Sequence, residues 1–130
     1  MSEIKVAILG GGSCASAMIQ GIQWYRENSD RLHEGVAHVE IGGYKVTDIV
    51  PVAAFDVDER KVGKDLAQAI FADPNVVDKF ADVPHLGVQV MMGPVMDGVD
   101  EHLAQMVKVS NRKPVDVLAV LRETKPDLVL

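Results

Sequence analysis

The feature that most narrows the fold of this chain is a short apolar run that breaks straight into glycine. Ile4-Lys5-Val6-Ala7-Ile8-Leu9 is followed at once by Gly10-Gly11-Gly12-Ser13-Cys14-Ala15. Behind it, Ala15, Met18, Ile19 and Ile22 recur at i, i+3, i+4 and i+7, which marks one buried helix face. Strand, glycine turn and helix in that order is what a dinucleotide pyrophosphate needs. Gly10 makes the tight turn out of the strand. Gly12 has no Cβ, so the backbone can approach the phosphates. Ala15 is small enough for helix and strand to pack closely. Gly11, Ser13 and Cys14 complete the loop, and the helix start offers unpaired N–H groups and a partial positive charge to an anion. A glycine cluster taken alone also builds plain turns; the strand before it and the helix after it favour the dinucleotide reading.

The 130 residues suffice for one domain with a core, and 48% apolar with 25% charged residues is the balance of an ordinary soluble protein. The net charge of −6 and the absence of a basic block argue against nucleic acid as a partner. No apolar run approaches the roughly 20 residues of a membrane helix, so no membrane association is expected. The start, Met-Ser-Glu-Ile-Lys, lacks the pattern of a signal peptide. The lone Cys14 forms no internal disulfide, and a cytoplasmic location is expected. Cys14 at a helix start is open to activation, but no base lies near it in sequence, and it reads as a small residue beside a phosphate. His33, His38, His85 and His102 are scattered without ligand spacing, so no metal site is expected.

The remaining chain alternates between strand and helix patterns. A first strand is expected over 4–9 and a helix over 14–26. An irregular segment over 27–48 contains Ile41-Gly42-Gly43-Tyr44, which predicts a small hairpin. A second strand is expected over 52–55, with Pro51 just ahead of it. A helix over 59–71 would be capped by Asp58 and bury Val62, Leu66 and Ile70. A third strand covers 87–92. A helix over 99–108 would turn Val99, Leu103, Met106 and Val107 inward, and a last one over 114–123 would start on Pro114 and bury Val115, Leu118 and Leu121. Leu128-Val129-Leu130 begins a fourth strand. This pattern predicts an α/β Rossmann-like parallel sheet of order 3-2-1-4 flanked by helices. The sequence ends on an uncovered apolar strand, an aggregation liability, which points to a domain completed by further residues or another chain. A short domain with that strand as its edge is the alternative.

A ribose-binding acid is expected at the end of the second strand, about 20 residues past the glycines. Asp56 holds that strand position but lies further along the chain, and an insertion over 27–48 accounts for the difference. Asp56 can accept hydrogen bonds from both ribose hydroxyls. With Asp58 and Glu59 it would repel a 2′-phosphate, which favours NAD over NADP. Arg60 and Lys61 could oppose this, but as residues of the 59–71 helix both are expected to face solvent, as is Lys64, with an approach of Lys64 to the adenosine side as its alternative. Met91, Met92 and Met96 read as core or strand-end packing.

Several segments in order resemble the archaeal and actinobacterial type of myo-inositol-1-phosphate synthase, also called inositol-3-phosphate synthase. They are Gly10-Gly11-Gly12-Ser13-Cys14-Ala15-Ser16, His38-Val39-Glu40-Ile41-Gly42-Gly43-Tyr44 and Val52-Ala53-Ala54-Phe55-Asp56-Val57-Asp58. Lys61-Val62-Gly63-Lys64-Asp65-Leu66, Ala69-Ile70-Phe71, Lys79-Phe80-Ala81-Asp82-Val83-Pro84 and Gly93-Pro94-x-x-Asp97-Gly98 continue the series. The resemblance implies a redox-neutral NAD enzyme. Bound NAD oxidises glucose 6-phosphate, aldol cyclisation closes the ring, and the hydride returns to give an inositol monophosphate. It implies a cytoplasmic homo-oligomer, a tetramer in the family, and catalytic lysines in a second domain that has no counterpart here. Only the loop residues Gly10, Gly11, Gly12, Ser13, Cys14 and Ala15, with Asp56, carry over, and no catalytic residue does. Ser13 stands where family members mostly carry Asn. Tyr44 would be an interface aromatic if the insertion packs on a neighbouring subunit. Two rival readings are a free-standing NAD-binding module and the nucleotide half of another NAD-dependent oxidoreductase.

Overall fold

In the computed structural model, which describes residues 2–96 and 98–130, the first apolar run forms the central strand. β1 (Ile4–Leu9) lies between β2 (Ile49–Asp56) and β4 (Leu128–Val129), with β3 (Val90–Met92) outside β2. All pairings are parallel, in the expected order β3-β2-β1-β4. Both faces of the sheet are covered, so its central strands read as apolar runs. On one face Ile8, Ala54 and Val90 pack with Ala15 and Ile19 of α1 (Ser13–Glu27) and with Leu66 and Ala69 of α2 (Leu66–Ala69). On the other, Ala7, Ala53 and Phe55 pack against Val117, Val120 and Leu121 of α3 (Val117–Thr124). The alternation Ala53, Ala54, Phe55 is thus split between the two layers, as a pleated strand requires.

β2 is longer than expected, and Pro51 sits within it. Val6 pairs with Pro51 but Ala7 pairs with Ala53, which leaves Val52 as the extra residue of a bulge. A bulge is one of the few strand sites that tolerate proline. The expected hairpin is present. Ile41 and Tyr44 exchange backbone hydrogen bonds of 2.9 and 3.0 Å across Gly42 and Gly43, both with positive φ.

The three later helices are shorter than their periodicity suggested. The 59–71 helix shrinks to α2. Gly63 takes φ +89°, which ends any helical path, and Asp65 rather than Asp58 caps the short helix that remains. The Asp65 carboxylate accepts N–H groups of Ala67, Leu86 and Val88, each at 3.0 Å. Burial pushes its pKa up, but these backbone donors outweigh burial and hold it below the usual carboxylate value. Val62, Leu66 and Ile70 are all buried as expected, although only Leu66 of the three lies in a helix.

Over 99–108 the structure has only a 3-10 turn, Leu103–Gln105, and Leu103 and Met106 are exposed rather than inward. The segment is held along the backbone beyond β2: Glu59 N–H donates to Lys108 O and Ser110 N–H to Val57 O, both at 2.7 Å. α3 begins after Pro114, because Val115 N–H is engaged by Met92 O at 2.9 Å and Asp116 caps the helix through Ala119 N–H at 3.1 Å. Val115 and Leu121 pack on the sheet, but Leu118 is exposed. Met96 is likewise exposed rather than packed. β3 starts at Val90 rather than at 87, since Val88 is turned toward Asp65 and Leu66. Removing the Asp116 cap with Asp116→Ala is expected to cost about 1 kcal/mol in urea unfolding; an unchanged midpoint would show that α3 is held by packing alone. Among the described residues, no helix is long and apolar enough to cross a membrane.

Candidate functional site

The candidate site sits where β1 gives way to α1. Gly10 leaves the strand at φ +104°, a left-handed value that favours glycine, and its N–H donates to Phe55 O at 2.8 Å. Gly12 is the N-cap of α1 and supplies no side chain there. The first helical bond runs from Ser16 N–H to Gly12 O at 3.0 Å. The N–H groups of Ser13, Cys14 and Ala15 therefore precede the helical ladder, as at any helix start. A Cβ built on Gly12 would meet nothing within 4 Å. The loop thus presents open space at the position where the sequence pattern expects a phosphate to approach. Ala15 is buried against the sheet, and Cys14 is exposed at the start of the helix.

Gly11 plays a different part. Its N–H donates to Asp56 Oδ2 at 2.7 Å, and a Cβ on it would lie 3.3 Å from that oxygen. Asp56 also accepts Val57 N–H at 2.7 Å and Asp58 N–H at 3.1 Å on Oδ1. An ionised carboxylate offers about four acceptor sites. Three are used internally, which leaves about one free. Asp56 is equally a brace that ties the end of β2 to the glycine turn.

The structure also brings in residues that sequence reasoning placed elsewhere. Lys61 is not a solvated helix residue; it is 3% exposed. Its Nζ donates to Gly11 O at 2.9 Å and to Asn75 Oδ1 at 2.7 Å, and lies 4.0 Å from Asp56 Oδ2. Burial lowers its pKa, against the opposing pull of Asp56 and Asp58. Asn75 Nδ2 donates to the same Gly11 carbonyl at 2.9 Å, and Val76 N–H donates to Ser13 Oγ at 3.2 Å. The 75–76 segment therefore straps the loop. Gln20, fully buried in α1, anchors the next stretch by accepting Phe80 N–H at 2.8 Å and donating to Asp78 O at 3.3 Å. The expected helix over 59–71 hid this arrangement, because helical geometry would have turned Lys61 outward. Gln20, four residues after Ser16 and buried with it on the inner side of α1, is the one polar pair in the sequence that hints at a strap over this helix.

Asp58 is a buried partner for Arg60, not a helix cap. The guanidinium contacts both carboxylate oxygens, at 2.9 and 2.6 Å, and donates to Met106 O at 2.6 Å. Burial pushes the Asp58 pKa up, but the Arg60 hydrogen bonds win and leave it lowered. Clefts open at this edge of the sheet. One of about 340 Å³ is lined by Gly12, Ser13, Asp56, Lys61 and Asn75. Another, about 420 Å³ and largely apolar, is lined by Leu9, Phe55, Pro94, Met96 and Val117. Asp97, the acidic residue of the Gly93-Pro94 motif, lies outside the described residues.

A parallel sheet of this order, with a glycine turn at the carboxyl end of its central strand, defines a Rossmann-like α/β protein. No family model matches the chain. Curated relatives do. It is 47% identical over 129 residues to the inositol-3-phosphate synthase of Mycolicibacterium smegmatis, covering 98% of this chain and 36% of that protein. The enzyme of the same name from Corynebacterium glutamicum is 46% identical over 131 residues, covering 99% and 36%. That of Mycobacterium tuberculosis H37Rv is 44% identical over 130 residues, covering 99% and 35%. Over nearly its whole length the chain is similar to the N-terminal portion of proteins named inositol-3-phosphate synthase, and it spans about a third of the length of these relatives. Among solved structures, Ari2 superposes with a TM-score of 0.74 at 29% identity, over 98% of this chain and 37% of that one. A myo-inositol-1-phosphate synthase-related protein from Thermotoga maritima shares the fold, with a TM-score of 0.62 at 21% identity over 98% of this chain and 33% of that one.

Proposed function

We propose that this chain is the NAD-binding portion of an inositol-3-phosphate synthase that converts glucose 6-phosphate to inositol monophosphate by oxidation, aldol cyclisation and re-reduction. The observation that carries this reading is the open Gly12 position beside a braced Asp56, in a chain whose relatives bear that enzyme's name. The residues fit the cofactor. A side chain at Gly12 would fill the space that a diphosphate needs, and the adjoining cleft is lined by Ser13 and Asp56. When bound, NAD supplies a hydride acceptor that later returns the hydride.

The loop's own work is to bind and orient. The N–H groups at the start of α1 stabilise an anion through hydrogen bonds and the helix dipole. The Ser13 hydroxyl, already accepting from Val76, keeps its proton to donate. Asp56 keeps one acceptor site for a ribose hydroxyl. Arg60, the cation best suited to hold a 2′-phosphate, is committed to Asp58. No residue of this chain is given a catalytic role.

Calorimetric titration tests the reading. NAD is expected to bind, and NADP to bind at least roughly tenfold more weakly, a difference of about 1.4 kcal/mol. Equal binding of the two would remove Asp56 and Asp58 as selectivity residues. Heat from neither would remove the dinucleotide reading of the loop.

A further inference from the structure

The proposed function leaves one buried charge unused. Lys61 comes from the turn after β2, yet its ammonium reaches the interior of the glycine loop, where it has two hydrogen-bond acceptors, Gly11 O and Asn75 Oδ1. An ammonium has three donors. The nearest further acceptor described, Asp56 Oδ2, stands at 4.0 Å, beyond hydrogen-bond reach. Lys61 also lines the same cleft as Gly12, Ser13 and Asp56.

For an incoming anion this matters in two ways. First, the Gly11 carbonyl accepts from both Lys61 and Asn75, so both of its lone-pair directions are engaged within the protein. A carbonyl turned into the mouth would repel a phosphate; this one is held back. Second, the cleft is otherwise acidic. Asp56 and Asp58 both line it, Asp58 with Arg60 as its partner and Asp56 with no guanidinium against it among the described residues, and the whole chain carries −6. Arg60 is neutralised in its pair with Asp58. Lys61 is the cation left among the described lining residues to offset Asp56.

We propose that Lys61 is the positioning and charge-compensating residue of the loop: it pins the Gly11 carbonyl away from the mouth and offsets Asp56, so that a diphosphate can enter. This rests on the dinucleotide reading of the site and adds to it a residue that the glycine pattern does not contain. The groups facing Lys61 are Asp56 and Asp58, which favour its charge, and Arg60, which opposes it. Burial outweighs the two carboxylates and lowers its pKa. Lys61 therefore gives up its proton at a lower pH than a solvated lysine, and its contribution to anion binding fades as pH rises through that range.

The test is calorimetric titration of the parent chain, Lys61→Met and Lys61→Gln with NAD, and separately with inorganic pyrophosphate, from pH 7 to pH 10. Lys61→Met keeps the apolar stem. Lys61→Gln keeps a donor for Gly11 O without the charge, and serves if the first variant fails to fold. At pH 7 both variants are expected to bind NAD roughly tenfold more weakly than the parent. That gap is expected to narrow as pH rises, because burial makes Lys61 lose its charge earlier than a solvated lysine. Variants that bind within twofold of the parent, or a gap that does not change with pH, would overturn the role of Lys61 while leaving the NAD site intact. A parent chain that binds neither NAD nor pyrophosphate would overturn both.

Discussion

Gly12→Val is expected to abolish NAD binding while leaving the chain folded. The two effects separate because of where the new atoms go. A Cβ at Gly12 meets nothing within 4 Å, and the residue's φ of −78° suits any side chain, so neither packing nor backbone opposes the substitution. Glycine gives no side-chain cap there to lose. A poor capping residue in its place costs less than about 1 kcal/mol. The branched side chain instead occupies the approach that a diphosphate would take. A loss of affinity of roughly a hundredfold or more, about 2.7 kcal/mol, is expected by calorimetry, with a thermal midpoint close to the parent's. A variant that binds NAD as the parent does would show that the loop is a turn and not the seat of the cofactor.

Asp56→Asn is expected to act on both fold and binding. An amide has one acceptor oxygen in place of two. Asp56 Oδ2 receives Gly11 N–H, and Oδ1 receives Val57 and Asp58 N–H. Whichever way the amide is turned, its NH2 faces a backbone donor. A part-buried N–H left without an acceptor costs about 1–3 kcal/mol. The Gly11 peptide would then lose its brace, and with it the fixed spacing between loop and strand. Chemical denaturation is expected to show a loss of about 2 kcal/mol, and NAD affinity is expected to fall roughly tenfold or more. Unchanged stability with lost binding would assign Asp56 to the ribose alone. Lost stability with unchanged affinity would make it a brace only.

How far the sequence carried differs between the two halves of the chain. β1, the glycine turn and α1 were legible because local pattern and tertiary role agree there: an apolar run, a residue free to take positive φ, and a clean i, i+3, i+4, i+7 face. The Gly42-Gly43 hairpin was legible for the same reason. The sheet order came from the alternation of elements. The segments over 59–71 and 99–108 were not legible, because the contacts that shape them lie far away in sequence. Val62, Leu66 and Ile70 have helical spacing, but only Leu66 and Ile70 share a helical turn, while Val62 is buried from the turns ahead of Gly63. Gly63 and the long-range acceptance of Leu86 and Val88 by Asp65 decide the geometry. The site divides the same way. The residues of the glycine pattern and Asp56 could be read from strand position. Lys61 and Asn75 could not, since their meeting at the Gly11 carbonyl spans 50 and 64 residues of chain.

The bulge at Val52 has a consequence for how this part of the molecule can vary. In a paired strand, a slip of one residue turns every side chain to the opposite face. Beyond the bulge, β2 is locked by Ala53, Ala54 and Phe55 against Ala7, Ile8 and Leu9; before it Ile49, Val50 and Pro51 pair with Ile4, Lys5 and Val6, and the turns and hairpin over 28–48 precede these. A lengthened or shortened connection there would have to pass its displacement through a register fixed by an irregular pairing and a proline that cannot donate to the ladder. The connection is thereby uncoupled from the distance between Gly11 and Asp56. Changes in its length, grafted peptides included, would be absorbed upstream, and the spacing of the nucleotide loop would be inherited unaltered.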